Sequence, residues 1–175
     1  MNEFPIFKES KTAKLSLLAI VFGTIFWLGA VHIRDVISNA ILIMGTLEFK
    51  PNINPMVESA IMGLIAKSSM VVLGGYITVW IAGIVYLSNT RLVMKKNGWL
   101  LMSAILFYFF TPVEIYTGIL DGRMIFEDLF AKGDLVEFRK LLIHRMAALA
   151  GAPRIAQFSY YTIIAIIIFQ PFKKH

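Results

Sequence analysis

The sequence contains no cysteine, which excludes disulfides, thiolate metal centres and cysteine nucleophiles. Charge is scarce too: Asp, Glu, Lys and Arg make up 16% of 175 residues, against 58% apolar residues and a mean hydropathy of +0.72. So small a polar complement excludes a disordered tail, a nucleic-acid-binding module and a typical cytosolic enzyme, and leaves lipid as the solvent for most of the chain. Catalytic signatures are missing: there is no Gly-x-Ser-x-Gly, P-loop, dinucleotide fingerprint or His-Glu-x-x-His. No sequence repeat is visible.

What the chain does have is four apolar stretches near the ~20 residues needed to cross a hydrocarbon core of about 30 Å. They run over residues 15–33, 68–87, 99–120 and 155–172. The first is longer than the apolar core of a cleaved signal peptide and reads as a retained span. The expected fold is an all-α membrane protein, residues 1–175 forming a single integral membrane domain with four transmembrane helices.

Orientation follows from Lys and Arg near the span ends. Lys8, Lys11 and Lys14 precede the first span, Arg91, Lys95 and Lys96 fill the short link between the second and third, and Lys173 and Lys174 follow the fourth. With four spans all of these fall on one side, which predicts a bacterial cytoplasmic (inner) membrane protein with both termini inside. Basic residues on the other side, among them Lys132, Arg139 and Arg145, are diluted by acids in a long loop. Trp99 and Tyr86 are expected at the inner interface, and Tyr116, Tyr160 and Tyr161 at the outer one.

The two outer connections are far longer than ordinary links and carry helical patterns of their own. In the first, residues 36–44 are apolar but too short to cross, so they extend span one, lie in the interface or re-enter; Gly45-Thr46 ends them. Asn54-Pro55 reads as an N-cap followed by proline at the first helical position, so the second helix is expected to start well before Lys67. In the second connection Asp121-Gly122 is expected to stop the third span. Asp134-x-x-Glu137 then has capping-box spacing before an amphipathic helix. Its apolar face is Leu135, Phe138, Leu141, Leu142, Met146 and Leu149, its polar face Glu137, Lys140 and His144, and Gly151-Ala152-Pro153 ends it.

Glu114 is the one carboxylate inside the third stretch, and an ionisable group within a span ordinarily faces a partner or a cavity. Pro112 leaves the Tyr108 carbonyl without its helical donor. Thr111, Glu114, Gly118 and Asp121 share a helical face. Arg34 and His32, at the outer end of span one, lie at compatible depth, so Glu114, Arg34, His32 and Asp121 form the candidate substrate or proton site. The alternative is a structural ion pair between Glu114 and Arg34 or an outer-loop arginine. His32 and His144 share the outer side, the minimum for two axial haem ligands; neither is mid-span, and His175 is terminal. The methionines, Met44 among them, are scattered and read as apolar packing rather than a copper site. No metal set is expected.

Small residues form stripes, Ala19/Gly23 and Gly74/Thr78/Ala82, with Gly75 and Gly83 alongside; such stripes pack helices or dock another subunit.

Phe26-Trp27-Leu28-Gly29-Ala30, Ile81-Ala82-Gly83-Ile84-Val85-Tyr86-Leu87 and Asn97-Gly98-Trp99-Leu100 resemble small bacterial four-helix membrane proteins related to the copper-resistance D family. The resemblance covers about half of the chain and implies a four-span bundle. That family tends to carry a histidine early in span one, where this chain has Ser16-Leu17-Leu18, so no cofactor ligand carries over. These features lead to the expectation of a non-enzymatic accessory or anchoring subunit of an inner-membrane complex, docking through its small-residue faces. The alternative is a small transporter or a haem or metal redox protein using the polar cluster near the outer leaflet.

Overall fold

The computed structural model describes residues 9–43, 45–130 and 134–172; Met44, Lys8, Lys132, Lys173, Lys174 and His175 lie outside the described residues. Among these the chain is all-helical: α1 (Lys11–Ile41), α2 (Pro55–Asn89), α3 (Gly98–Phe109), α4 (Thr111–Phe130), α5 (Leu135–Ala147), a 3-10 turn (Ala148–Gly151) and α6 (Ala152–Phe169). Three stretches are long and apolar enough to cross a membrane: α1, α2 and Leu135–Phe169, whose apolar part is α6. The bent pair α3–α4 qualifies as a fourth if it counts as one span. The outward faces of these helices are oily, with Leu15, Phe22, Ile25 and Phe26 all about half exposed or more on α1. This is the build of a multi-pass membrane protein.

Helix starts follow local chemistry. The Ser10 hydroxyl accepts from the Ala13 amide, Asn54 from Met56, and Asp134 from both Val136 and Glu137. Residues 36–41 are resolved as a continuation of α1, which ends at Ile41 where the chain turns back. Gly45, at φ +80°, allows that turn, Leu42 bridges Phe49, and the Lys50 ammonium donates to the Asn39 and Ala40 carbonyls at the C-terminus of α1.

α1 and α2 pack antiparallel, with Ser10 donating to Asn89 O at one end and Ser68 to Ala30 O toward the other. Their closest approach is at Gly23 and Gly75. A Cβ on Gly75 would stand 2.9 Å from the Trp27 amide nitrogen, and one on Gly23 would stand 2.8 Å from a Val79 methyl. Of the expected stripe on α2, only Ala82 is buried. Gly74 and Thr78 are exposed, and a Cβ on Gly74 would meet nothing within 4 Å. The packing row is therefore the neighbouring one, through Gly75.

Two expectations for the third stretch are corrected. It is not one helix but two, bent by 40° at Phe110, just ahead of Pro112, which cannot donate to the Tyr108 carbonyl. Asp121-Gly122 does not stop it. α4 continues to Phe130, because Asp121 is held by arginines from two other helices rather than turned back on its own backbone.

α5 lies on the ends of α1, α2 and α4. Phe138, Leu141 and Leu142 join Ile41, Leu42, Met62, Ile65, Ala66 and Met124 in a core separate from those nearer the lysine-rich end. Leu149, expected on the buried face of α5, falls outside that helix. It is 45% exposed and left-handed, as is Ala150, in the turn that reverses the chain into α6.

Candidate functional site

Three helices bring charge, and a fourth a hydroxyl, to one buried point. Arg34 of α1 donates to Asp121 of α4 at 2.8 Å, Arg145 of α5 donates to the other oxygen of the same carboxylate at 3.1 Å, and Ser69 of α2 lies at 3.3 Å from Arg34. The Arg34, Asp121 and Arg145 side chains are only 6%, 2% and 15% exposed. Two guanidinium groups thus share one carboxylate, a cluster of net charge +1 in a medium that penalises unpaired charge heavily.

Glu114, two turns before Asp121 on the same face of α4, does not pair directly with Arg34. Its Oε1 accepts from the Tyr160 hydroxyl of α6 at 3.0 Å. Tyr160 is 4% exposed and packs on Trp27, with ring centroids 4.6 Å apart, so it is a core residue rather than the interface marker expected of it. A cavity of about 90 Å³ opens beside these groups, lined by Arg34, Glu114, Arg145 and Tyr160 together with the Asp35–Arg154 ion pair. It has room for about three water molecules. Among the described residues, Glu114 Oε2 and the terminal nitrogens of Arg145 have no hydrogen-bond partner, so both an acceptor and a donor remain available beside the cavity. The lining carries charges of both signs, Arg34, Arg145 and Arg154 against Asp35 and Glu114, and Asp121, which pairs with Arg34 and Arg145, stands behind the lining.

Of the four candidate residues, then, the structure gathers Arg34, Asp121 and Glu114. His32 is excluded from the cavity: its ring is stacked on Tyr161 and shares a hydrogen bond with that hydroxyl on the exposed side of α1. His144 shares a hydrogen bond with Tyr116 at 2.9 Å. The two imidazoles sit on different helices with different tyrosines, and neither lines the cavity. Among the described residues no group of three or more His, Asp or Glu side chains is placed to hold a metal ion.

A second ion pair, buried on its carboxylate side, lies in the core at the α5 end. Glu58 of α2 is 1% exposed and takes both oxygens to Arg139 of α5 in a two-pronged bridge, and Arg139 also lies 5.0 Å over the Phe49 ring.

Sequence reasoning did not place Arg145, Ser69, Tyr160 or Glu58 among the candidate site residues, although a signal existed for two of them. Arg145 stands three and four residues after Leu142 and Leu141, on the apolar stripe of α5. Glu58 stands four and seven residues before Met62 and Ile65, on the buried stripe of α2. A charge on the oily face of a helix needs a buried partner. Comparison with known protein families, with curated proteins and with solved structures finds no match to this chain.

Proposed function

We propose that this chain is a non-enzymatic anchoring or accessory subunit of a bacterial inner-membrane complex, crossing four times with α3–α4 as the third crossing and both termini cytoplasmic. The observation that carries this reading is the assembly at the α5 end. α1 and α2, with 31 and 35 residues, are about 46 and 52 Å long, against a hydrocarbon core of about 30 Å. The surplus is packed with α5 into a core of its own around the Glu58–Arg139 bridge. Ordering that much chain outside the bilayer costs conformational entropy, and the result is a rigid platform whose rim exposes Met56, Val57 and Phe130. The cytoplasmic assignment draws on Lys11, Arg91, Lys95 and Lys96, which share the end where Glu9 accepts from Thr90 and Arg91.

The test is the particle extracted in a gentle detergent. A stoichiometric complex, dispersed by Met56→Asp with Val57→Asp while helicity is unchanged, is the expected result. A monodisperse single chain from native membranes overturns the reading.

A second reading, a small transporter or redox protein, is favoured by one observation: the unpartnered Glu114 oxygen and Arg145 nitrogens beside a cavity lined by charges of both signs. Glu114→Gln separates the two. Solute uptake or binding lost with stability intact supports transport, whereas stability lost with complex formation intact supports the subunit. A redox form carrying haem on His32 or His144 requires a Soret band in the purified protein.

A further inference from the structure

The helices nearer the lysine-rich end do not close on one another. Between the α1–α2 pair and the α3–α6 pair lies a cavity of about 270 Å³, lined by Leu17, Ile20 and Thr24 of α1, Gly83 of α2, Ala104 of α3 and Ile163 of α6. Its closed end is the aromatic packing of Trp27, Phe107 and Tyr160, which also separates it from the polar cavity above. At its other end it meets Glu9, Leu92 and Gln170.

Protein interiors pack to the density of organic crystals, with few voids larger than a water molecule. A space of this size, lined by side chains that offer water almost no partners, stays dry and accepts an apolar guest. The length of its apolar part suits an acyl chain. On α1 that part runs from Leu17 to Trp27, ten residues or about 15 Å, which is half of a hydrocarbon core of about 30 Å and therefore the depth of one leaflet. At the mouth, Leu92 belongs to the link that carries Arg91, Lys95 and Lys96, and Lys11 stands two residues beyond Glu9; all four cations are exposed.

The geometry points to a structural phospholipid site: one acyl chain of an anionic lipid enters between the two helix pairs up to the Trp27–Tyr160 wall, with its phosphate among Lys95, Lys96 and Arg91. The inference rests on membrane embedding and not on the subunit role. Ala104 and Thr24 set the width of the site, and the lysines set its head-group preference.

Native mass spectrometry of the full chain in mild detergent tests this, with phosphatidylglycerol and phosphatidylcholine as the probes. The wild type is expected to retain one lipid per chain after loosely held lipid is stripped, favouring phosphatidylglycerol by about fivefold for each lysine engaged. Ala104→Phe, which sets a ring across the cavity, abolishes retention while thermal stability holds or rises. Lys95→Glu with Lys96→Glu keeps retention but removes the preference. The proposal is overturned if the wild type retains no lipid, if folded Ala104→Phe retains it unchanged, or if a quinone or a peptide is recovered instead. Should Ala104→Phe fail to fold, wild-type retention and its head-group preference decide the matter by themselves.

Discussion

Asp121→Asn is the most informative single change. It keeps the shape of the side chain and removes the charge that two guanidiniums share at 2.8 and 3.1 Å. The Arg34 and Arg145 side chains are only 6% and 15% exposed, and a cavity of about 90 Å³ beside them is too small to solvate a charge as bulk water does. Breaking a buried ion pair by removing one partner costs about 3–5 kcal/mol, because a charge is left behind without compensation. For a chain of this length each kcal/mol moves the melting temperature by about 2–4 °C, so the expected fall is roughly 6–20 °C. The control is Asp35→Asn at the mouth of the same cavity, where the Arg154 and Asp35 side chains are 56% and 29% exposed and the loss should stay within about 1 kcal/mol. Replacing the whole cluster with Arg34→Met, Asp121→Leu and Arg145→Met should recover most of the stability, since apolar substitutes carry no desolvation penalty. The assay is thermal unfolding in micelles followed by far-ultraviolet circular dichroism. If Asp121→Asn and Asp35→Asn melt together, the cluster does not hold the helices as argued.

Other substitutions probe other links. Gly75→Ala drives a methyl into the Trp27 backbone and should cost about 1–3 kcal/mol, whereas Gly74→Ala, with open space around it, should be neutral or stabilising by up to about 1 kcal/mol; chemical denaturation of the two variants side by side distinguishes them. Tyr160→Phe takes the hydroxyl from Glu114 and should cost about 1–3 kcal/mol. The double variant Glu114→Leu with Tyr160→Phe should cost less than Tyr160→Phe alone, and an additive double-mutant cycle would count against the bond. Asp134→Ala removes the acceptor of two amides at the start of α5 and should cost about 1 kcal/mol, seen first as faster hydrogen exchange at Val136 and Glu137.

Much of this architecture is legible one segment at a time. Low charge and long apolar runs are sums along the chain, and they mark the helices long and apolar enough to cross a membrane. Caps are local too: Asn54-Pro55 and Asp134 begin helices because their side-chain oxygens reach amides two or three residues ahead. The periodicity of α5 gave its buried face through Phe138, Leu141 and Leu142, and the lone carboxylate of the third stretch singled out Glu114.

Only the folded chain decided which groups meet. Arg34 and Asp121 are 87 residues apart in sequence, and their contact depends on how α1 and α4 are rotated about their axes, which no local pattern fixes. Rotation also selected Gly75 over Gly74 as the close-packed glycine, turned His32 away to Tyr161 and drew Tyr160 inward to Glu114. Asp121-Gly122 reads as a stop in isolation. In place it is mid-helix, since a carboxylate neutralised by two arginines from other helices has no need to turn back on its own backbone. Hydropathy is additive along a sequence and survives without tertiary context; the pairing of buried charges is a property of helix rotation and contact, and only the tertiary structure decides it.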